Sequence, residues 1–74
     1  MKINLESTTK IVTLNGVPAR IWEGKTESGI PVHAYVTRIA VARDQDCSEF
    51  ERELQEHRAP SVDVAAIPLR LLLP

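Results

Sequence analysis

The chain has 74 residues, of which 43% are hydrophobic and 26% charged, and its formal net charge is -1. This composition predicts one small folded domain over residues 1–74 and excludes a multidomain enzyme. The near-neutral charge disfavours nucleic-acid binding, which normally depends on a basic excess that neutralises phosphates.

The sequence has no membrane-spanning segment, no secretory signal and no pair of cysteines for a disulfide. No apolar run approaches the roughly 20 residues of a membrane span, and the first residues lack a secretory core, so a cytoplasmic protein without a membrane partner is expected. The single cysteine cannot form an internal disulfide. Because a core of this size is thin, we expect a homodimer that removes further apolar surface from water.

The first predicted elements are two strands joined by a tight turn. Residues 10–14 are rich in β-branched side chains and lead into Asn15-Gly16, a strong signal for a type I′ hairpin. The second strand runs over residues 17–23. Pairing Leu14 with Val17 places a set of aliphatic side chains on one face, namely Val12, Leu14, Val17, Ala19 and Ile21.

A third strand is predicted over residues 30–41, after a polar loop at 24–29. Pairing Glu23 with Ile30 keeps the same face apolar through Val32, Ala34 and Val36. The opposite face then carries a mixed set: Ile11, Thr13, Arg20, Trp22, His33, Tyr35, Thr37 and Ile39.

A short helix is predicted next, with Ser48 and Glu51 forming a capping box at its start. Its Phe50 and Leu54 should pack over the aliphatic face of the sheet, since a helix of about ten residues is marginal alone. The predicted core therefore comprises Val12, Leu14, Val17, Ala19, Ile21, Val32, Ala34, Val36, Phe50 and Leu54.

The C-terminal segment, residues 62–74, is too apolar to be left free and is read as a further strand. Pro68 indicates an edge position, within the chain or exchanged between subunits. The predicted fold class is therefore α+β: a three- to four-stranded antiparallel β-meander with one short α-helix packed on one face, and an apolar C-terminal strand or arm.

Candidate catalytic and metal sites fail on spacing. A helix places His57 roughly 15 Å from Cys47, too far to act as its base. His33 is not excluded as a base by spacing, but a lone cysteine at a helix start is more often a small packing residue. A calcium loop starting at Asp44 would have Glu49 at the position that needs glycine and Gln55 at the position that needs a bidentate glutamate. No catalytic residue, cofactor or metal is predicted, and the protein is expected to be non-enzymatic.

The mixed face offers the best candidate for recognition. Aromatic rings with arginine could stack single-stranded nucleic acid, but the same residue types are enriched at protein interfaces. Without a basic field the sequence favours a protein interface or a dimer contact, while the acidic helix leaves phosphate mimicry as a further possibility. The candidate interface residues are Arg20, Trp22, His33, Tyr35, Leu69, Leu71 and Leu73.

The segment Asn15-Gly16-Val17-Pro18-Ala19-Arg20-Ile21-Trp22-Glu23-Gly24, followed by Gly29-Ile30-Pro31-Val32-His33-Ala34, resembles small accessory proteins of tailed bacteriophages and proteobacterial prophages. The resemblance implies a non-catalytic protein that acts by binding, in a group that includes inhibitors of host defence systems. The expected function is binding and modulation of a host bacterial protein; a single-stranded nucleic-acid binder is the alternative.

Overall fold

The computed structural model describes residues 1–74 and contains one four-stranded sheet with two short helices. The strand order is β3-β2-β1-β4, with β4 parallel to β1 and the other pairs antiparallel. The α+β prediction is confirmed, with a sheet that is mostly antiparallel. The elements are β1 (Ile3–Leu14), β2 (Val17–Thr26), β3 (Pro31–Val36), α1 (Cys47–Glu53), α2 (Val62–Ala65) and β4 (Arg70–Leu71).

The β1–β2 hairpin forms where the sequence predicts it. Asn15 and Gly16 have φ angles of 49° and 83°, as a type I′ turn requires, and Leu14 pairs with Val17. β1 begins at Ile3, however, well before the predicted start at residue 10. The added length contains an irregularity between Ser7 and Ile11, where the pairing register shifts.

A buried side chain completes the ladder at this irregularity. Thr8 is fully buried, and its Oγ1 donates a 2.6 Å hydrogen bond to the carbonyl of Ile21. The Arg20 guanidinium donates to the Thr8 carbonyl at 2.8 Å. Side chains thus satisfy polar groups of a region where the backbone register is interrupted.

The predicted pairing of β2 with β3 is wrong by three residues. Glu23 pairs with His33 rather than Ile30, because β2 continues through Gly24 to Thr26 before the chain turns. Gly29 closes that turn with a φ of 90°. Since side chains alternate between faces along a strand, an odd shift exchanges the two faces of β3.

The corrected register gives the sheet two faces with different coverings. The tail face carries Val12, Ile21 and Tyr35, and the C-terminal segment packs on it. The helix face carries Arg20 and Trp22 and is the side on which α1 lies.

The core sits on the tail face and is small. Val12, Ile21 and Val64 form the buried cluster, with Tyr35, Ile67 and Leu71 packed against it. The burial predicted for Val12, Ala19 and Ile21 is confirmed. The predicted core is wrong at Val17 and Leu54, which are exposed, and α1 has no buried residue; half-buried positions are Leu14, Val32, Ala34, Val36 and Phe50.

The helix N-cap also differs from the prediction. Asp46 rather than Ser48 caps α1, accepting 2.9 Å hydrogen bonds from the backbone N–H and the hydroxyl of Ser48. These bonds hold the pKa of the Asp46 carboxyl below its usual value. The helix is therefore fixed by one residue of the acidic turn that precedes it.

The apolar tail pairs with β1 of its own chain at the sheet edge, as its Pro68 suggested. The Asn15 N–H donates to the Leu71 carbonyl at 2.8 Å, and the Asn15 side chain both donates to and accepts from the backbone of Leu73. Of the further strand predicted over residues 62–74, only Arg70–Leu71 forms, as β4, whereas Val62–Ala65 is helical. Neither helix has the length and apolar content that crossing a lipid bilayer requires.

Candidate protein-binding site

The helix face of the sheet carries an open cleft between α1 and the strands. Its volume is about 480 Å³, and Trp22 contributes the largest ring to its wall. Trp22 is only half-buried, so α1 leaves part of the indole exposed. Five apolar residues line this cleft: Leu5, Trp22, Ile39, Phe50 and Leu54.

A second hollow lies beside the cleft on the same face. Ile39 and Leu54 line both hollows, so the two adjoin along these apolar side chains. The second hollow adds Ile11, which is 48% exposed, together with Arg20 and Val36. We call this combined surface the Trp22 groove.

The rim of the groove carries both charges. The first hollow has Glu6, Glu53 and Glu56 with Arg58, and the second hollow adds Arg20 and Arg38. Arg52 bridges Glu56 at 2.6 Å on the exposed side of α1. Such an exposed pair contributes little to the stability of the fold.

Ser7 and His57 lie in contact at the end of the groove. This contact was not predicted from the sequence. Ser7 Oγ lies 2.9 Å from His57 Nδ1 and donates its proton to the Glu56 carbonyl at 2.8 Å. Because the hydroxyl has one proton, in this arrangement His57 Nδ1 acts as the donor to Ser7 Oγ. The contacts therefore anchor the turn after α1 and do not activate Ser7 as a nucleophile.

A buried carboxylate joins the tail face to the C-terminal segment. Glu23 Oε1 accepts from Arg58 at 2.8 Å and from the Ser61 N–H at 2.7 Å, while Oε2 accepts from the Ser61 hydroxyl at 2.7 Å. Burial alone would raise the pKa of Glu23, but the hydrogen bonds from Ser61 and Arg58 outweigh it and lower the pKa. No local sequence pattern indicates this network, because its partners are 35 and 38 residues apart.

The predicted four-residue interface is divided between the two faces. Arg20 and Trp22 lie on the helix face, whereas Tyr35 packs on the tail-face core. His33 Nε2 is 3.2 Å from the Tyr35 hydroxyl, and the two rings meet edge to face. The expectation that all four share a surface is therefore wrong, and no single stacking platform forms from them.

The remaining predicted interface residues lie in the tail. Leu71 is half-buried against the core, whereas Leu69 and Leu73 stay exposed on either side of it. Of these three leucines, two are therefore open to a partner while the third stabilises its own chain.

Cys47 is exposed and free at the start of α1. Its sulfur makes one long contact, 4.0 Å to the Gln45 carbonyl. No group of three or more histidine, cysteine or acidic side chains is arranged to hold a metal ion.

Comparison with known proteins adds no relative. No protein-family model, curated protein or solved structure matches this chain.

Proposed function

We propose that this protein is a small non-enzymatic protein-binding module, of the phage or prophage accessory type, that binds and modulates a bacterial host protein in the cytoplasm. The resemblance of residues 15–24 and 29–34 to such accessory proteins motivates the choice of host. The surface of the folded chain supports the mode of action.

One observation carries the proposal, namely the large surface of the isolated chain. Its accessible area is 5897 Å². A monomer of 8.3 kDa is expected to expose about 4,600 Å², so the excess is roughly 1,300 Å². A standard protein interface removes about 800 Å² from each partner, which makes the excess large enough for a binding surface.

The shape of the chain agrees with this surplus of surface. Its radius of gyration is 13.4 Å, whereas about 11.3 Å is expected for a compact domain of this length. Only four hydrophobic residues are buried: Val12, Ala19, Ile21 and Val64. A chain with so thin a core gains stability from any partner that covers its apolar groups.

The Trp22 groove is the surface best suited to a partner protein. It combines a half-buried aromatic ring with exposed aliphatic side chains and a rim of both charges. An apolar centre surrounded by polar residues is the usual arrangement of a protein interface. The mixed rim favours a partner segment that carries charges of both signs around an apolar anchor.

Self-association belongs to the same proposal. We propose that the protein is a homodimer, and that dimer formation uses a surface other than the Trp22 groove, which stays free for the host protein. The homodimer contact and the host-protein contact would then each bury a different part of the excess accessible surface of the chain.

The test is affinity capture from bacterial lysate with the intact chain and two charged variants. Leu54→Glu places a carboxylate in the groove, and Val62→Glu places one at a highly exposed position on α2, outside the groove. We expect a defined partner band that Leu54→Glu loses and Val62→Glu retains, with both variants folded by circular dichroism.

Two results would contradict the proposal. One is the same set of captured proteins with all three chains, since the groove would then make no difference. The other is quenching of Trp22 fluorescence by a single-stranded oligonucleotide with an affinity that falls as salt rises, which would indicate nucleic-acid binding.

A further inference from the structure

The outer edge of β3 has no strand paired to it. β3 lies at one end of the strand order and pairs on one side only, with β2. No backbone hydrogen bond outside that ladder involves residues 31–36. The opposite edge differs, because Arg58, Leu69 and Leu71 bond to β1 over residues 7–15.

The register shows which groups of β3 are left free. Thr26 N–H donates to the Ile30 carbonyl in line with the β2–β3 ladder, which makes that pair a hydrogen-bonded one. Because such pairs alternate along antiparallel strands, residues 32, 34 and 36 point their backbone groups at β2. The N–H and C=O groups of His33 and Tyr35 therefore point outward.

The sequence of β3 does not protect this edge. Natural edge strands are commonly blocked by lysine, other charged side chains, bulges or proline. Residues 31–36 contain no Lys, Arg, Asp or Glu, and the pairing with β2 is regular throughout. Pro31 blocks only the first position, which leaves the donors at His33 and Tyr35 available.

We propose that the β3 edge is the homodimer contact, and that it pairs antiparallel with β3 of a second copy. This inference rests on the self-association proposed above and names its site. An antiparallel pair of identical strands is related by a two-fold axis, so each copy offers the same donors and acceptors that the other needs. Pairing of two copies along β3 would remove part of the excess accessible area of the isolated chain.

A two-fold axis at Ala34 satisfies the outward groups of both copies. His33 then pairs with Tyr35 of the partner subunit, and Tyr35 with His33 of the partner subunit, which gives four backbone hydrogen bonds by the alternation of the ladder. The two sheets join into one continuous sheet. Each copy pairs through the same β3 edge and has no second β3 edge to offer. The contact therefore produces a dimer and not a filament.

The matched variants for this contact are His33→Pro and His33→Ala. Proline removes the outward N–H of His33 without removing a donor to β2, whereas alanine removes the side chain and keeps the N–H. We expect wild type and His33→Ala to sediment at twice the 8.3 kDa chain mass at micromolar concentration, and His33→Pro to sediment as one chain. Circular dichroism of His33→Pro should remain that of the wild type.

Amide hydrogen exchange on the wild type gives a second, variant-free readout. In the proposed dimer the amides of His33 and Tyr35 exchange more slowly as protein concentration rises, because the partner strand accepts their hydrogen bonds. A wild type that sediments as a monomer would overturn both the dimer and its site. A dimer in which these amides exchange at a rate independent of concentration would overturn the β3 contact alone, leaving self-association elsewhere.

Discussion

Ile21 pairs with Tyr35 across β2 and β3, which places Tyr35 on the buried core and turns the neighbouring Trp22 to the other side of the sheet. The chain has one tryptophan and one tyrosine, and they therefore serve different surfaces. Tyr35 helps to hold the C-terminal segment, while Trp22 is left at a groove that α1 covers only in part.

The Glu23 network predicts a specific acid sensitivity. Because the folded state lowers the pKa of Glu23 from its ordinary value of 4.5, the ionised carboxylate stabilises the fold above that pH. This contribution is lost as pH falls below 4.5 through the lowered folded value. Urea unfolding of Glu23→Gln at neutral pH should show a loss of about 1 to 2 kcal/mol.

The difference between wild type and Glu23→Gln should shrink as the pH is lowered into the acid range, since the wild-type carboxylate becomes neutral there. Glu27→Gln is the control, because Glu27 is exposed beyond the end of β2. An equal difference at neutral and acid pH would show that the charge of Glu23 does not stabilise the fold.

Thr8 should be replaceable by serine but not by valine. Thr8→Val keeps the shape of the side chain but leaves the Ile21 carbonyl without the Thr8 donor in a buried site, at a cost of about 1 to 3 kcal/mol. Thr9→Val, at the exposed neighbour, should change the unfolding free energy little. Equal effects of Thr8→Val and Thr9→Val in chemical denaturation would refute the role of this hydrogen bond.

The core assignment predicts opposite outcomes for two valines of α2. Val64 is 3% exposed within the core cluster, whereas Val62 is 85% exposed two residues earlier. Val64→Asp buries an unpaired carboxylate and should cost more than about 3 kcal/mol, while Val62→Asp should stay within about 0.5 kcal/mol. Thermal denaturation that affects both variants equally would place the core elsewhere.

Gly24 is expected to tolerate no larger residue. A Cβ at this position would lie 1.8 Å from the Asn4 carbonyl oxygen of the paired strand, which is backbone and cannot swing away. Gly24→Ala should therefore destabilise the fold by about 1 to 3 kcal/mol or more, as overpacking does. Lys25→Ala is the control at the next, exposed position, and a stable Gly24→Ala would mean that β1 approaches β2 less closely.

The local turn was predictable from sequence, while the register two strands away was not. Asn15 and Gly16 determine the first hairpin because few other residues adopt positive φ at both positions. Gly24 looks like the start of a loop but lies inside β2, where close strand approach requires a glycine. Ending β2 too early shifted the third strand by three residues.

That one shift assigned Tyr35 to the face of Trp22. The helix α1 was predicted on the aliphatic face of Val12 and Ile21, although Val64 and the tail occupy that side. The buried partners of Glu23 were beyond prediction, since a salt bridge between residues 23 and 58 leaves no local pattern. The alternation of side chains between the two faces of a strand can be predicted from sequence. The pairing register with the next strand depends on where the turn between them lies.

Contact between the Trp22 groove and a host protein can be measured by site-specific photocrosslinking in living bacteria. A photoreactive side chain is placed at Ile39 in the groove, or at Val17, which is similarly exposed at the hairpin end. We expect a discrete adduct with a host protein from Ile39 and none of that mass from Val17. An identical adduct pattern from both positions, or no protein adduct from Ile39, would contradict it.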